Sequence, residues 1–278
     1  MTAWSEQLRR EGVTIGFVPT MGALHAGHRA LIRAARLQCD ALVVSIFVNP
    51  TQFGPTEDLT KYPRPIAKDR AICRTEGVDI CFEPTAKAMY PDGFQTQVAL
   101  PGIAKRWEGE SRPHHFGGVA TVVTKLFGMV RPHVALFGQK DYQQAALVQQ
   151  LVRDLNLGVA IQVRPTVRER DGLAMSSRNV YLSPEERRVA SILRQALLAG
   201  RQAIERGAHH GAEVENMMRQ VLERESIVHV DYVAACDTKT LEPLRKFARR
   251  VVLLGAIRLG SVRLIDNAVA PVGRKKRR

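Results

Sequence analysis

The feature that most constrains this chain is the stretch PTMGALHAGH at residues 19–28, which lies between an apolar run and an amphipathic segment. The apolar run at residues 13–18 predicts a buried strand. Residues 29–37 place apolar side chains at helical spacing, with arginines on the opposite face. Gly22 and Gly27 allow close approach to the backbone. The stretch therefore predicts a strand that passes through a glycine turn into a helix.

Two histidines lie at the start of that predicted helix. His25 and His28 are three residues apart, so both side chains can face the same way. The unpaired amides and the dipole of a helix N-terminus favour phosphate, and imidazole N–H groups add directed donors. No nearby cysteine or carboxylate completes a zinc site. The arrangement predicts a nucleotide-binding α/β domain.

Bulk composition fits one large domain or two unequal ones. The chain has 278 residues, of which 45% are hydrophobic, and no apolar run reaches the roughly 18 residues of a membrane span. The N-terminal residues lack a charged-then-apolar signal pattern, so we expect a cytoplasmic protein. The cysteines show no Cys-x-x-Cys spacing, and we expect free thiols at Cys39, Cys73, Cys81 and Cys236.

The net charge is strongly positive, with 41 basic and 27 acidic residues, formally +14. The one dense basic cluster is GRKKRR at residues 273–278, which we expect to be disordered and to bind polyanions without specificity. Aromatic residues are not interleaved with the basic ones as in single-strand binders. We interpret the charge as a field that favours phosphate-bearing ligands, with no specific nucleic acid as partner.

Further apolar runs predict strands that alternate with helices, at residues 40–48, 77–82, 134–137 and 160–164. Asn49 and Gln52 follow the second predicted strand. Ligands of an open parallel sheet bind beyond the carboxyl ends of its strands. We therefore expect Asn49 and Gln52 at the same edge as His25 and His28, although Asn49 beside a proline could also simply cap the turn.

Two later loops also carry groups suited to phosphate. The sequence GQKD at residues 138–141 repeats the glycine turn before a helix, and Lys140 adds a point charge. Pairing of Lys140 with Asp141 at the surface is an equally good interpretation. The loop at residues 165–183 contains MSSRN at residues 175–179, whose hydroxyls and guanidinium suit a phosphate tail. Ser183 is the better N-cap for the helix that follows this loop.

The pattern changes from residue 184 onward. Two helical stretches precede strands, and this order predicts a small α+β domain with an antiparallel sheet. Before it, residues 91–118 predict a long loop, with a helix expected only from residue 119. We predict a Rossmann-like parallel-sheet α/β domain at residues 1–168 and a smaller α+β domain at residues 169–278. The expected helices span residues 184–207 and 211–225, and the expected strands span residues 229–234, 250–256 and 261–266.

The order of four blocks closely resembles the pantoate–β-alanine ligase family of the HxGH nucleotidyltransferase superfamily. These blocks are HAGH at 25–28, NPTQF at 49–53, GQKDYQQ at 138–144 and MSSRN at 175–179. The resemblance runs from about residue 18 to residue 267. It implies an enzyme of the pantothenate and coenzyme A pathway that condenses pantoate with β-alanine. It also implies ATP and magnesium dependence, a pantoyl adenylate, release of AMP and pyrophosphate, and a homodimer whose C-terminal domain is a lid over the nucleotide.

The resemblance also implies roles for individual residues. The catalytic residues would be His25, His28, Lys140, Ser176, Ser177 and Arg178. Pantoate would contact Gln52 and Gln144, with Met21 and Phe53 lining its pocket, and Asp141 would meet the ribose. Magnesium would be held through the phosphates of ATP. The full set of implied ATP contacts is Pro19, Met21, Gly22, His25, His28, Gly138, Lys140, Asp141, Val167, Met175, Ser176, Ser177 and Arg178.

This chain departs from the family where acidic residues are common. Ala26, Gln139 and Lys68 stand at such positions, and the change at Lys68 argues against Asp69 as a magnesium ligand. One alternative is another HxGH adenylyl- or cytidylyltransferase acting on a small acid or phosphate, which would lack the two glutamines. Another is a basic nucleic-acid-binding protein that kept the fold. Deletion of residues 274–278 would discriminate the latter, by whether polyanion binding survives.

Overall fold

The structure, a computed structural model, describes residues 1–55, 57–248 and 250–272, so the basic cluster at residues 273–278 lies outside the described residues. The chain divides into two compact units. The first comprises Met1–Gln139 and Gln143–Pro165, and the second comprises Lys140–Tyr142 and Thr166–Arg278. This division follows Pro165, whereas the sequence predicted a boundary after residue 168, and it assigns the short segment around Lys140 to the second unit.

A parallel sheet with the strand order β3-β2-β1-β4-β5 forms the centre of the first unit. The chain therefore builds outward from β1 in one direction and then resumes on the other side of β1 with β4. In such sheets, ligands bind at the carboxyl ends of the strands where the order reverses. The strands are β1 (Ile15–Thr20), β2 (Ala41–Ile46), β3 (Ile80–Phe82), β4 (Val134–Gly138) and β5 (Ala160–Arg164).

Alternating side chains of these strands bury two apolar faces. Phe17 and Phe137 point to one face, where they pack with helices α6 and α7, while Val18 and Leu136 point to the other, where they pack with α2. Both faces being covered explains why the strands are almost continuously apolar. The helices of this unit are α1 (Thr2–Arg10), α2 (Ala26–Arg36), α3 (Ile66–Thr75), α4 (Ala86–Met89), α5 (Glu108–Ser111), α6 (His115–Val130) and α7 (Tyr142–Asp154).

The prediction of an unbroken loop through residue 118 was wrong. Helix α5 lies within that segment, and α6 begins at His115, four residues earlier than the expected start at residue 119. Adjacent glycines at 117 and 118 weaken a helix pattern. A Cβ on Gly118 would lie 2.4 Å from the carbonyl oxygen of Thr51. Gly118 therefore permits close approach of α6 to the loop after β2 and does not end the helix.

The second unit is a small α+β domain, as predicted. Its sheet is antiparallel in the order β6-β7-β8, and α9 and α10 contribute apolar residues such as Leu197 and Met218 to its core. The expected single helix at residues 184–207 is broken after Val189. The elements are α8 (Pro184–Val189), α9 (Ile192–Glu205), α10 (Gly211–Leu222), β6 (Val228–Asp237), β7 (Val251–Leu259) and β8 (Val262–Ala270).

Two further properties concern the described residues as a whole. Among them, no helix combines the length and apolar character that crossing a bilayer requires. All four cysteines, Cys39, Cys73, Cys81 and Cys236, are free thiols. The fold thus rests on the packed cores of its two units, without covalent cross-links among these positions.

Candidate active site

The turn after β1 carries the two histidines into helix α2. His25 is the N-cap, and its Nδ1 accepts a hydrogen bond from the Gly27 amide at 3.1 Å. The Nδ1 of His28 accepts from the His25 amide at 3.4 Å, and the two ring centroids lie 4.1 Å apart. Because each Nδ1 is an acceptor, a neutral ring carries its proton on Nε2. Nε2–H is the group that can donate to a phosphate oxygen.

Asp69 of α3 holds this turn in place. Its side chain is fully buried, and its two carboxylate oxygens accept hydrogen bonds from the amides of Ala23 and Leu24, each at 2.8 Å. Gly22 and Ala23 both have positive φ angles, +82° and +49°. A Cβ on Gly22 would lie 3.0 Å from the Asp69 carboxylate and 2.9 Å from Ile46. The carboxylate thus compensates for a backbone shape that most residues avoid.

Asn49 organises the loop after β2. Its Oδ1 accepts from the Thr51 amide at 3.4 Å and from the Tyr90 hydroxyl at 2.7 Å. Its Nδ2 donates to Gln52 Oε1 at 3.2 Å, which turns the amide nitrogen of Gln52 toward Met21 Sδ, also at 3.2 Å. Asn49 therefore caps the turn and also orients Gln52. The pairing of β1 with β2 confirms that these loops share one edge of the sheet.

A polar network of Glu57, Arg112 and His115, largely withdrawn from solvent, contacts the backbone of Gln52. The carbonyl oxygen of Gln52 is 3.0 Å from Nδ1 of His115 and 3.3 Å from Nη2 of Arg112. Arg112 is held by Glu57 through Nε, at 3.0 and 3.1 Å, and through a further short contact from Nη2. Burial alone would raise the pKa of Glu57, but the hydrogen bonds and charge of Arg112 hold it below its usual value. Sequence reasoning missed this network as a contributor to the site.

Burial, reinforced by the adjacent Arg112 charge, lowers the pKa of His115 to about 4. The hydrogen bond to the Gln52 carbonyl and the charges of Glu108 and Glu57 oppose this shift without overcoming it. As the pH falls below about 6.5, unfolded chains take up a proton that the folded chain rejects until about pH 4, so folding stability is lost over this window. We expect the free energy of unfolding to drop about 2 kcal/mol more in the wild type than in His115→Asn between pH 7 and about pH 5. Urea unfolding at both pH values measures this, and equal losses in the two proteins would contradict the assignment.

Two neighbouring glutamines of α7 differ sharply in their surroundings. Gln143 is buried, donates to the carbonyls of Ile103 and Arg106 at 2.8 and 2.9 Å, and accepts from the Glu108 amide at 3.1 Å. Gln144 is half-buried, and its side chain makes no hydrogen bond to another described residue. Gln143 is therefore a structural residue, whereas the carboxamide of Gln144 is available to a ligand.

The remaining predicted lining residues of the first unit lie at the carboxyl edge of its sheet. Met21 contacts Gln52, as given above, while Phe53 is buried and packs edge-on against Tyr62, with centroids 6.1 Å apart. Pro19 lies in β1, and Gly138 ends β4, which neighbours β1. A cavity of about 330 Å³ opens beside Met21 and Gly22. The structure thus brings Met21 and Gln52 together and gives Phe53 a packing role.

In the second unit, Lys140 and Ser176 line the same small cavity, together with Arg194 and Asp266. Lys140 Nζ is 3.3 Å from Asp141 Oδ1, so the surface pairing considered from the sequence is present. Ser176 Oγ accepts from the Arg178 amide at 3.3 Å and caps the single turn of 3-10 helix at Ser177–Tyr181. The structure therefore brings together the lysine and the first serine of the predicted phosphate loop.

The predicted phosphate loop has a defined backbone. The Met175 amide donates to the Val167 carbonyl at 3.0 Å, and Arg168 holds the buried Asp266 through two hydrogen bonds, at 2.7 and 3.0 Å. Ser183 caps α8, as predicted, in a reciprocal arrangement with Glu186. Residues 166–183 are thus positioned by the core of their own unit, and sequence patterns gave no signal for the Arg168–Asp266 pair.

The described residues offer no protein-only metal site, since no three His, Cys, Asp or Glu side chains among them converge. Asp69 uses both carboxylate oxygens on backbone amides, as described above. This geometry agrees with the sequence argument against Asp69 as a magnesium ligand.

Comparison with known proteins extends over nearly the whole chain. The family model described as pantoate-beta-alanine ligase matches residues 1–269. A pantothenate synthetase of Heliobacterium modesticaldum is 49% identical over 272 residues, covering 98% of this chain and 97% of that protein. The pantothenate synthetase of Syntrophotalea carbinolica is 52% identical over 261 residues, covering 94% of this chain and 92% of that protein.

Solved structures agree with these sequence matches. The crystal structure of pantothenate synthetase from Thermus thermophilus superposes with a TM-score of 0.91 at 46% identity, covering 97% of this chain and 98% of that one. The Francisella tularensis pantoate-beta-alanine ligase, crystallised with beta-gamma ATP and beta-alanine, gives a TM-score of 0.77 at 36% identity, covering 96% and 95%. Sequence and fold therefore point to the same family.

Proposed function

The chain belongs to the pantoate-beta-alanine ligase family, and on this basis we propose that it condenses pantoate with β-alanine through a pantoyl adenylate, releasing AMP and pyrophosphate. The observation that carries the proposal is the family match over residues 1–269, a span that contains both motif histidines, Lys140 and the MSSR loop. The arrangement of proton donors and cations described above supports it.

In the first step, a pantoate carboxylate oxygen attacks the α-phosphorus of ATP, and the bond from this phosphorus to the bridging oxygen breaks. Pyrophosphate leaves with the electron pair. Because one anion approaches another, the reaction needs preorganised donors at the phosphoryl oxygens and no protein nucleophile. We assign Nε2–H of His25 and His28 to these oxygens, since their Nδ1 atoms are engaged at the helix start.

The cationic and hydroxyl groups of the second unit are assigned to the phosphates as well. Lys140 supplies a point charge and Arg178 a guanidinium that can bind two oxygens at once. Ser176 and Ser177 add hydroxyl donors. We assign Asp141 to the ribose. Backbone contacts to the nucleotide are proposed for the remaining positions named by the resemblance: Pro19, Met21, Gly22, Gly138, Val167 and Met175.

In the second step, the neutral amine of β-alanine attacks the acyl carbonyl of the adenylate. The carbon–oxygen bond to AMP breaks, AMP leaves with the electron pair, and the amine releases one proton to solvent as the amide forms. When bound, a magnesium ion neutralises phosphate charge, and we propose that it is held through the oxygens of ATP. We further propose a homodimer, as the family resemblance implies, and a cytoplasmic location, as expected from the sequence pattern.

Pantoate is assigned to Gln52 and Gln144, with Met21 and Phe53 nearby. Because the side chain of Gln144 bonds to no other described residue, its carboxamide is assigned to pantoate, and Gln144→Ala should raise the KM for pantoate about tenfold. Its adjacent control is Gln143→Ala, which should instead lower the melting temperature because three backbone groups lose their partner. Steady-state kinetics with pantoate varied measures the first effect. A pantoate KM unchanged in Gln144→Ala would remove this residue from the site.

The proposed reaction is tested by incubating the purified protein with ATP, pantoate and β-alanine and following AMP. AMP should accumulate with all three substrates, together with equal amounts of pyrophosphate and pantothenate. Omission of either acid should abolish steady turnover. Formation of ADP and phosphate instead, or AMP formation that is indifferent to pantoate, would refute the proposed reaction.

A further inference from the structure

The backbone carbonyl of Gln52 is held by two side chains from a distant part of the chain. Its carbonyl oxygen accepts from His115 at 3.0 Å and from Arg112 at 3.3 Å, which uses both lone pairs of that oxygen. The side-chain oxygen of Gln52 accepts a hydrogen bond from Asn49. The position of the peptide and the direction of the carboxamide are therefore both fixed before any ligand arrives.

We propose that Glu57, Arg112 and His115 are positioning residues that act through Gln52 to set the affinity for the hydroxy acid. This inference rests on the proposed assignment of pantoate to Gln52. Arg112 and His115 contact each other and the Gln52 carbonyl oxygen, and Glu57 contacts Arg112. All three side chains are largely withdrawn from solvent. They influence the substrate only by fixing the residue that binds it.

The chemistry of the contact determines which form of His115 does this. A carbonyl oxygen only accepts, so Nδ1 of His115 carries the proton and donates to Gln52. Nε2 is then an acceptor and lies 3.4 Å from Nη1 of Arg112. A proton on Nε2 would direct an N–H at the guanidinium and put two cations side by side. Only the neutral ring with Nδ1–H satisfies both neighbours.

Arg112 connects this ring to a counter-charge. It donates to Glu57 three times and to the Gln52 carbonyl once, so the guanidinium has little freedom to move. Gly118, one turn further along α6, allows the helix to approach this loop, since a Cβ there would meet the Thr51 carbonyl and the Gln52 amide nitrogen. Helix α6 is therefore seated directly against the peptide that it positions.

The test compares two substitutions of His115. An asparagine side chain can present an N–H near the place of Nδ1, whereas leucine fills the space without a donor. We expect His115→Leu to raise the KM for pantoate about tenfold, with the KM for ATP within about twofold of wild type, and His115→Asn to stay within about threefold. His114→Leu is the matched control, because His114 is exposed and makes no side-chain cap at this helix start. It should leave all constants unchanged.

A double variant tests whether His115 acts through Gln52. Combining His115→Leu with Gln52→Ala should give the pantoate KM of Gln52→Ala alone, because nothing remains to be positioned. Additive effects would overturn the inference, as would equal behaviour of the leucine and asparagine variants. If Gln52→Ala alone leaves the pantoate KM unchanged, the assigned pantoate site fails and the inference fails with it.

Glu57→Gln is the second variant, to be used if His115→Leu does not fold. Glutamine keeps the shape of the glutamate side chain that pairs with Arg112 but removes its charge. An unchanged pantoate KM in Glu57→Gln would also contradict the positioning role.

Discussion

Replacing Lys140 by alanine is expected to lower kcat for AMP formation about a thousandfold, because this removes the cation that we propose stabilises charge on the leaving pyrophosphate. The stability of the fold should change little. The only ion pair of Lys140 among the described residues joins it to Asp141 at 3.3 Å, and such partly exposed pairs contribute little to stability. Single-turnover measurement of pyrophosphate release, beside a thermal melt, separates the two effects.

Arg201 provides the matched control in the same unit. It is exposed and pairs with Glu205 along α9 at 2.8 Å, so Arg201→Ala should keep wild-type rates. His28→Ala should also abolish adenylate formation, with a modest loss of stability, about 1 kcal/mol, because the amide of the N-cap His25 loses its acceptor. Pyrophosphate release near the wild-type rate in Lys140→Ala and His28→Ala would refute the roles assigned to both residues.

Asp69→Asn is expected to have the largest effect on stability. The buried carboxylate accepts from the amides of Ala23 and Leu24, whereas an asparagine side chain offers one oxygen and turns an N–H toward the other amide. We expect a loss of about 3 kcal/mol in the free energy of unfolding. The Gly22–Ala23 turn leads directly into His25, so the KM for ATP should rise at least tenfold as well.

Asp79→Asn is the control for this second prediction. Asp79 also accepts from a backbone amide, that of Leu42 at 2.6 Å, but near the amino end of β2, at the edge of the sheet away from the histidines. It should destabilise the protein without changing the KM for ATP. If Asp69→Asn binds ATP as the wild type does, Asp69 does not position the histidine turn.

Much of the fold could be predicted because short stretches of the sequence determine its strands and helices. The apolar run at β1, the glycines after it and the amphipathic α2 lie within one short stretch, and the same strand-turn-helix order recurs at β4 and α7. Gly118 shows the opposite case. In the local sequence, Gly118 resembles a helix breaker. A glycine is needed there because the carbonyl of Thr51, far away in sequence, lies too close for a Cβ.

The candidate site shows the same division. His25 and His28 could be recognised from their place between strand and helix. The residues that hold the site could not, since Asp69 lies 45 positions after Leu24 and His115 lies 63 positions after Gln52. Nothing in the local sequence distinguishes Gln143 from Gln144 either. Only tertiary hydrogen bonds show that the side chain of Gln143 is structural, whereas that of Gln144 has no hydrogen-bond partner among the described residues.

Activation of pantoate through an adenylate is tested most directly by following a heavy oxygen from the carboxylate of pantoate. If the carboxylate attacks the α-phosphorus, one carboxylate oxygen stays on this phosphorus when β-alanine displaces the acyl group. Mass spectrometry of a reaction with ¹⁸O-labelled pantoate should therefore find the label in AMP, with none in pyrophosphate. Unlabelled AMP, or label in inorganic phosphate released with ADP, would contradict activation through an adenylate.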